Sequence, residues 1–196
     1  MCHVMCLDRQ TGDLLWGLDI AKEYESEVPL WYTGQCPLID EGKAIIATGG
    51  KALMVAIDCE TGQKLWETPN PSNWKMSHSS VMPFTFGGRK MYVYSAVGAL
   101  VGVAADGDDA GTLLWSTTVW NHSVIAPSPV CMPDGKIFMT AGYGVGGMMT
   151  ELSESNGEFT IEVLSKYPPR DGLACEQQTP LYWNGHLFGI MPKDGG

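Results

Sequence analysis

Polar side chains cluster in four short segments of the sequence, each of which precedes an apolar run. The segments span residues 32–35, 77–80, 121–123 and 176–178 and carry two histidines, several hydroxyls, amides and one carboxylate. Such groups can hydrogen-bond a peptide, a glycan or a small polar ligand. Solvated loops with capping roles are the alternative interpretation. We predict the following ligand-binding residues: Gln35, His78, Ser79, His122, Glu176 and Gln177.

Two further stretches match ligand motifs only in form. Residues 142–147 fit the pattern G-x-G-x-x-G, but a dinucleotide site needs a helix to begin there, and the sequence predicts a strand. Residues 106–111 are rich in aspartate, yet Ala110 and Thr117 stand where a calcium loop needs ligands. We therefore predict no catalytic residue and no metal ligand.

A repeated phrase indicates what positions the polar segments. LDRQTGDLLW at 7–16, IDCETGQKLW at 57–66 and ADGDDAGTLLW at 105–115 recur at intervals of about 50 residues. Each phrase predicts a strand, an acidic turn closed by glycine, and a second strand carrying tryptophan. We expect each tryptophan ring to be buried between neighbouring sheets. The residues of this structural repeat are Gly12, Trp16, Gly62, Trp66, Gly111 and Trp115.

A second series of hairpins interleaves with the first. Its four copies span residues 37–46, 83–93, 129–139 and 180–190, and each begins with proline and turns at glycine. A unit of four strands in about 46–50 residues is typical of a β-propeller. We predict an all-β propeller of four-stranded antiparallel blades, with about four blade equivalents in one domain, residues 1–196. The half blades are 1–17 and 178–196, and the full blades are 36–67, 81–116 and 128–166.

The repeat also resembles a known family. Ala56 and the run from Asp58 to Trp66 look like the tryptophan-docking repeat A-x-D-x-x-T-G-x-x-x-W of the pyrroloquinoline-quinone-like propellers. That family includes quinoprotein dehydrogenases and the propeller lipoprotein of the outer-membrane assembly machinery. The resemblance implies a segment of a seven- or eight-bladed ring, completed by the remainder of a longer chain or by a second copy. We expect an open arc, in which Pro192–Gly196 and Met1–Cys6 do not pair.

The resemblance leaves three functions open. A quinone dehydrogenase of this family stacks a vicinal cysteine pair on its quinone and uses calcium, but this sequence has no adjacent cysteines. We therefore expect no cofactor and favour a non-catalytic binding or scaffold module, with a ligand or protein partner at the polar mouth of the channel. The alternatives are a fragment of a quinoprotein oxidoreductase, with quinone and calcium, and a glycan-binding or glycan-processing propeller.

Charge and hydropathy argue against two functional classes, a nucleic-acid-binding protein and a protein with a transmembrane helix. The net charge of −10 at pH 7 argues against nucleic acid, because phosphate binding needs a basic surface. The sequence contains no run of about 18 apolar residues, so it predicts no transmembrane helix. The resemblance implies a bacterial protein located in the periplasm or outside the cell.

Overall fold

The computed structural model describes residues 3–170 and 172–190, and nearly all of their regular secondary structure is antiparallel β-sheet. Within them, three four-stranded sheets lie between two two-stranded ones. The two-stranded sheets consist of β1 (His3–Leu7) with β2 (Leu14–Asp19), and β15 (Leu181–Trp183) with β16 (His186–Phe188). A single helical turn, α1 (Ile20–Glu23), follows β2, and the Asp19 carboxylate accepts a hydrogen bond from the Lys22 N–H at its start.

Each four-stranded sheet is a meander in which consecutive strands pair. The second sheet contains β3 (Leu38–Asp40), β4 (Lys43–Ala47), β5 (Ala52–Asp58) and β6 (Lys64–Pro69). The third contains β7 (Met82–Phe86), β8 (Arg89–Ala96), β9 (Ala99–Ala104) and β10 (Leu113–Thr117). The fourth contains β11 (Val130–Cys131), β12 (Lys136–Ala141), β13 (Gly146–Ser155) and β14 (Glu158–Tyr167).

The core is divided into layers that lie between successive sheets. Along β5, Met54 and Ala56 pack against the third sheet, whereas Val55 and Ile57 pack toward the first. Alternate side chains of a strand point to opposite faces, so a strand buried on both faces reads as a continuous apolar run. This layered packing of four-stranded antiparallel sheets is that of a β-propeller, and it confirms the predicted fold class.

Two of the repeat tryptophans dock on a glycine of the following sheet. A Cβ added to Gly62 would lie 2.7 Å from Cγ of Trp16, and one added to Gly111 would lie 2.9 Å from Cε3 of Trp66. The Trp16 indole N–H also donates to the Cys59 carbonyl, at 2.8 Å. The turn of one hairpin is therefore shaped to receive the tryptophan of the hairpin before it.

The prediction that these rings are buried was only partly correct. Trp16 and Trp66 are half-buried, whereas Trp115 is buried. Leu65 is half-exposed on the opposite side of its strand, as expected. The loss from Trp66→Ala should therefore fall below the roughly 3–5 kcal/mol that a fully buried tryptophan would give.

The third copy departs from the docking pattern. Trp115 is buried, but its ring lies back over Gly102 of its own sheet, the residue paired with it across the ladder. Its indole N–H is 3.3 Å from the Met91 sulfur. Gly157, in the turn of the fourth copy, has open space where a docked ring would lie. Gly102 has no side chain, so the Trp115 ring can lie over it. In the other two copies the residue paired with the tryptophan is Cys6 or Ala56, whose side chain occupies that space.

The enlarged turn of the third copy also changes its hydrogen bonds. In the second copy Asp58 accepts from the N–H groups of Glu60 and Thr61, at 3.0 and 2.7 Å. Ala104 takes the position of that aspartate, since its carbonyl accepts from the closing Gly111 N–H. Arg89 instead holds the enlarged loop, by an ion pair with Asp109 and a 3.2 Å bond to the Asp106 carbonyl. The Trp66 indole N–H is left buried without a hydrogen-bond partner among the described residues.

A second set of contacts between sheets lies two residues before the first strand of each sheet. There the Cys36 N–H donates to the Ser80 hydroxyl at 2.9 Å, the Ser80 N–H to the Ser128 hydroxyl at 3.0 Å, and the Ser128 N–H to the Thr179 hydroxyl at 2.9 Å. We call these four residues the hydroxyl relay. It joins the innermost ends of four successive sheets in one direction.

The two outer sheets leave apolar side chains in solvent. Leu181 and Trp183 of β15 are 72% and 70% exposed, and Met5 and Leu14 are 62% and 61% exposed. In residues 3–170 and 172–190, no strand of the first sheet pairs with a strand of the last. The prediction that Pro192–Gly196 and Met1–Cys6 do not pair falls partly outside the described residues and stays a prediction.

Candidate functional site

One face of the propeller brings four aromatic rings together. In an antiparallel meander, the turn between the second and third strands lies at the same end as the connection to the next sheet. Trp31 and Tyr32 belong to the connection after the first sheet, His78 to the next connection, and Tyr143 to the β12–β13 turn. We call these four residues the aromatic ledge.

The rings of the ledge contact one another across sheets. The centroid of the Trp31 ring lies 6.3 Å from that of His78 and 6.1 Å from that of Tyr143. The Tyr32 and His78 centroids are 5.5 Å apart. Trp31, Tyr32 and Tyr143 are more than half exposed, at 63%, 57% and 57%. Trp31 thus extends from the connection after the first sheet to a turn of the fourth.

Unusual backbone conformations present two of these rings to solvent. Trp31 and Tyr143 have φ angles of 74° and 56°, in the left-handed region that bulky residues rarely adopt. The Tyr143 turn is closed by a 3.2 Å bond from the Val145 N–H to the Gly142 carbonyl, and the Glu176 side chain covers Gly142 closely. Backbone strain of this kind occurs at ligand-binding positions.

His78 is the buried member of the ledge and lies beneath the exposed rings. It is 8% exposed, and its backbone N–H donates to the Ile125 carbonyl at 3.0 Å. Burial lowers the pKa of His78, and a hydrogen bond with the Tyr32 backbone offsets part of that effect. Its Nδ1 has no partner among the described residues. A neutral imidazole therefore supports the exposed rings from below.

Two of the predicted binding residues have structural roles. The Gln35 amide donates to the Ala47 carbonyl at 2.6 Å and accepts from the Ala47 N–H at 3.1 Å, as an additional strand would. Ser79 is buried, and its hydroxyl donates to the Ser80 carbonyl. These polar groups are occupied within the protein, which favours the capping interpretation at both positions.

The remaining predicted residues lie elsewhere on the same face. His122 contacts Trp120 edge-on, with 4.5 Å between ring centroids, and lines a cavity beside β14. Gln35 lines a different cavity, near β1. Glu176 is half-buried over Gly142, and Gln177 is exposed. The prediction that all of these residues bind one ligand remains a prediction.

The sequence pattern did not identify Trp31 or Tyr143 as site residues. Trp31 does not occupy the tryptophan position of the repeat. This position outside the repeat is the feature of the sequence that could have identified Trp31 as a site residue. Tyr143 lies within the glycine-rich stretch 142–147, whose pattern resembles only a nucleotide-binding motif.

Comparison with known proteins agrees with this architecture. Residues 2–154 match the family model described as outer membrane protein assembly factor BamB, which is built on the pyrroloquinoline-quinone-like repeat. The chain belongs to this propeller family. The matched region covers the first two sheets, the third sheet and most of β13 in the fourth. No curated protein matches the chain.

The name of the repeat family implies a quinone, but the residues of this chain do not fit a quinone site with calcium. The sequence contains no adjacent cysteine pair. Across the described ranges, no three His, Cys, Asp or Glu side chains are close enough together to share a metal ion. The expectation that the chain uses no cofactor remains a prediction.

The same described ranges contain no helix long and apolar enough to cross a membrane. The only helical element within them is the four-residue turn α1.

Proposed function

We propose that this chain is a non-catalytic binding or scaffold module that contacts a protein partner through the aromatic ledge. The observation that carries this proposal is the exposure of Trp31, Tyr32 and Tyr143 side by side on a rigid sheet scaffold. Binding residues concentrate on loops that such a scaffold holds in place.

The chemistry of the ledge suits a protein surface or an extended peptide. Tryptophan and tyrosine are enriched where proteins bind one another, and they lose little side-chain entropy on binding. The ledge presents three exposed rings, two of which carry a hydroxyl, so it offers apolar area together with hydrogen-bonding groups. The net charge of −10 disfavours an anionic partner.

Family membership supports a protein partner outside the cytoplasm. The matching model is described as an assembly factor for outer membrane proteins, and a factor of that kind acts on other polypeptides. We infer a location in the periplasm or at the surface of a bacterial cell. The partner at the ledge would then be a polypeptide of the envelope.

A glycan is the second candidate ligand. The Trp31 and Tyr143 ring planes are inclined by 35° with centroids 6.1 Å apart, so they could also stack on the apolar face of a sugar. Peptide and sugar predict different results in the same binding assay.

Calorimetry on the whole chain tests the proposal. The probes are a 12-residue peptide of alternating apolar and polar residues, a peptide of the same composition in scrambled order, and linear hexasaccharides of glucose and N-acetylglucosamine. We expect saturable binding of the alternating peptide and at least about tenfold weaker binding by Trp31→Ala, as for a hot-spot aromatic.

The matched control is Trp183→Ala, which removes an equally exposed tryptophan from β15, outside the ledge. It should leave the peptide affinity unchanged. Binding of a hexasaccharide alone would replace the protein partner with a glycan, and equal losses in the two variants would overturn the ledge as the site.

A further inference from the structure

A separate cavity of about 300 Å³ opens on the same face, beyond the β12–β13 turn. It lies between the connection after β10 and the end of the outermost strand β14. The side chains that define it are Trp120, His122, Val145, Met148, Lys166 and Tyr167. Ligand pockets range upward from about 300 Å³, so this cavity suits a small molecule or one terminal residue of a peptide.

Among the described residues that line the cavity, Lys166 has the only charged side chain. Lys166 forms no ion pair with a carboxylate of the described residues, although the protein carries 22 acidic against 12 basic residues. Trp120 is 3% exposed, and its indole N–H is buried without a partner in residues 3–170 and 172–190. This N–H has almost no accessible surface, so Trp120 contributes an apolar wall to the cavity rather than a donor.

We propose that this cavity binds the carboxylate of a small apolar ligand or of a peptide C-terminus. In this arrangement Lys166 supplies the opposite charge at the entrance, and His122 supplies an N–H donor. Val145, Met148 and Tyr167 contact the apolar body of the ligand.

The sign of the charges selects a carboxylate over the other small ligands. A cationic ligand would meet the Lys166 ammonium with no acidic side chain among the lining residues to offset it. A neutral ligand would gain nothing from that charge. Burial lowers the pKa of His122, and the nearby Lys166 charge lowers it further, so the imidazole is neutral near pH 7. A neutral imidazole still offers one N–H to an anion.

This site is distinct from the aromatic ledge, and the proposal does not depend on the ledge. Val145 lines the cavity, and Tyr143, two residues earlier in the same turn, belongs to the ledge. The turn therefore separates two binding surfaces. One protein could hold the body of a peptide on the ledge and its terminal carboxylate in the cavity.

Calorimetry with N-acetyl-phenylalanine and N-acetyl-leucine tests the carboxylate site, with the corresponding amides as uncharged probes. We expect saturable binding of the acids and at least tenfold weaker binding of the amides. Lys166→Met should weaken acid binding about tenfold and abolish the preference over the amide. Val119→Trp, which fills the cavity from a half-exposed position in its lining, should abolish binding of both.

Arg9→Met is the matched control, because it removes one exposed positive charge from the β1–β2 turn. It should leave acid binding unchanged. Equal affinities for acid and amide, no binding of either, or no effect of Lys166→Met would overturn the proposal. A tripeptide with a free C-terminus then separates the two sources of the carboxylate, since only a peptide site binds it as tightly as the single residue.

Discussion

Gly12 and Gly62 occupy the same position in successive hairpins, but only Gly62 lies under a tryptophan ring. Both have left-handed backbones, with φ angles of 78° and 72°. A Cβ on Gly12 would meet nothing within 4 Å, whereas one on Gly62 would lie 2.7 Å from the Trp16 ring. The pair separates the conformational cost of a side chain from the cost of displacing the docked ring.

We expect Gly12→Ala to lower the free energy of unfolding by about 1–2 kcal/mol, the cost of a left-handed alanine. Gly62→Ala should cost a further 1–3 kcal/mol or so, because the ring must also move. Urea denaturation of both variants measures the difference. Equal losses would mean that docking on glycine contributes nothing to stability.

His78 makes stability depend on pH. Burial lowers its pKa from the ordinary value of 6.5, so the unfolded chain binds a proton more readily than the folded chain. The stabilising contribution is present above pH 6.5 and decreases as the pH falls toward the folded-state pKa. We expect lower stability at pH 5.5 than at pH 7.5, with a smaller difference in His78→Phe.

Denaturation curves at the two pH values check this expectation. His122 also has a lowered pKa, so part of the pH dependence should remain in the His78→Phe variant. The pKa of Asp58 is lowered by the Thr61 backbone N–H, so its stabilising contribution is lost only below about pH 4. Such carboxylates therefore do not change the stability between pH 5.5 and 7.5. If the stability difference between pH 5.5 and pH 7.5 is the same in His78→Phe as in the unmodified protein, His78 is not a source of the pH dependence.

Among the elements, the hydroxyl relay is the contact that fixes where each sheet begins. Ser128 is buried, and its hydroxyl accepts from the Ser80 N–H while its own N–H donates to Thr179. Ser128→Ala leaves the Ser80 N–H without its acceptor. Because this bond is part-buried and an intramolecular hydrogen bond contributes about 0.5–1.5 kcal/mol, we expect a loss of that size in the free energy of unfolding.

Ser165→Ala is the control for this variant, since Ser165 is an exposed serine on β14. It should change stability by less than about 0.5 kcal/mol. Amide hydrogen exchange adds a local measurement, because the Ser80 N–H should lose protection in Ser128→Ala. Retained protection would show that another acceptor replaces the hydroxyl.

The strands could be predicted from the sequence because each one follows a local rule. Alternation, glycine turns and the repeat interval specify β5, β6 and the turn between them without any knowledge of neighbours. The position of the Trp115 ring could not be predicted, since it depends on Gly102 lying opposite in the ladder. The aromatic ledge could not be predicted either, because Trp31 and Tyr143 meet only after four sheets have packed.

For the whole molecule, the exposed faces of the two outer sheets predict association. Leu181 and Trp183 point to the same side of β15 and are largely exposed, which is uncommon for such large apolar side chains. We expect a second copy, or the remainder of a longer chain, to cover them. In light scattering the chain should form dimers as its concentration rises, and Leu181→Ser with Trp183→Ser should remain monomeric.

Ile39→Ser serves as the control, because Ile39 is 64% exposed on β3, within a complete sheet. It should leave association unchanged. A chain that stays monomeric at high micromolar concentration would contradict the expectation, and so would equal effects of the β15 and β3 variants.

The docking of Trp16 and Trp66 on the following hairpin has a consequence for how the protein is made. Trp16 donates to a carbonyl that lies 43 residues further along the chain. A ribosome adds residues at roughly 5–20 per second, so this indole waits about 2–9 s for its acceptor to be synthesised. The first two copies of the repeated hairpin that leave the ribosome therefore each carry a tryptophan that stays undocked until the next copy has been made.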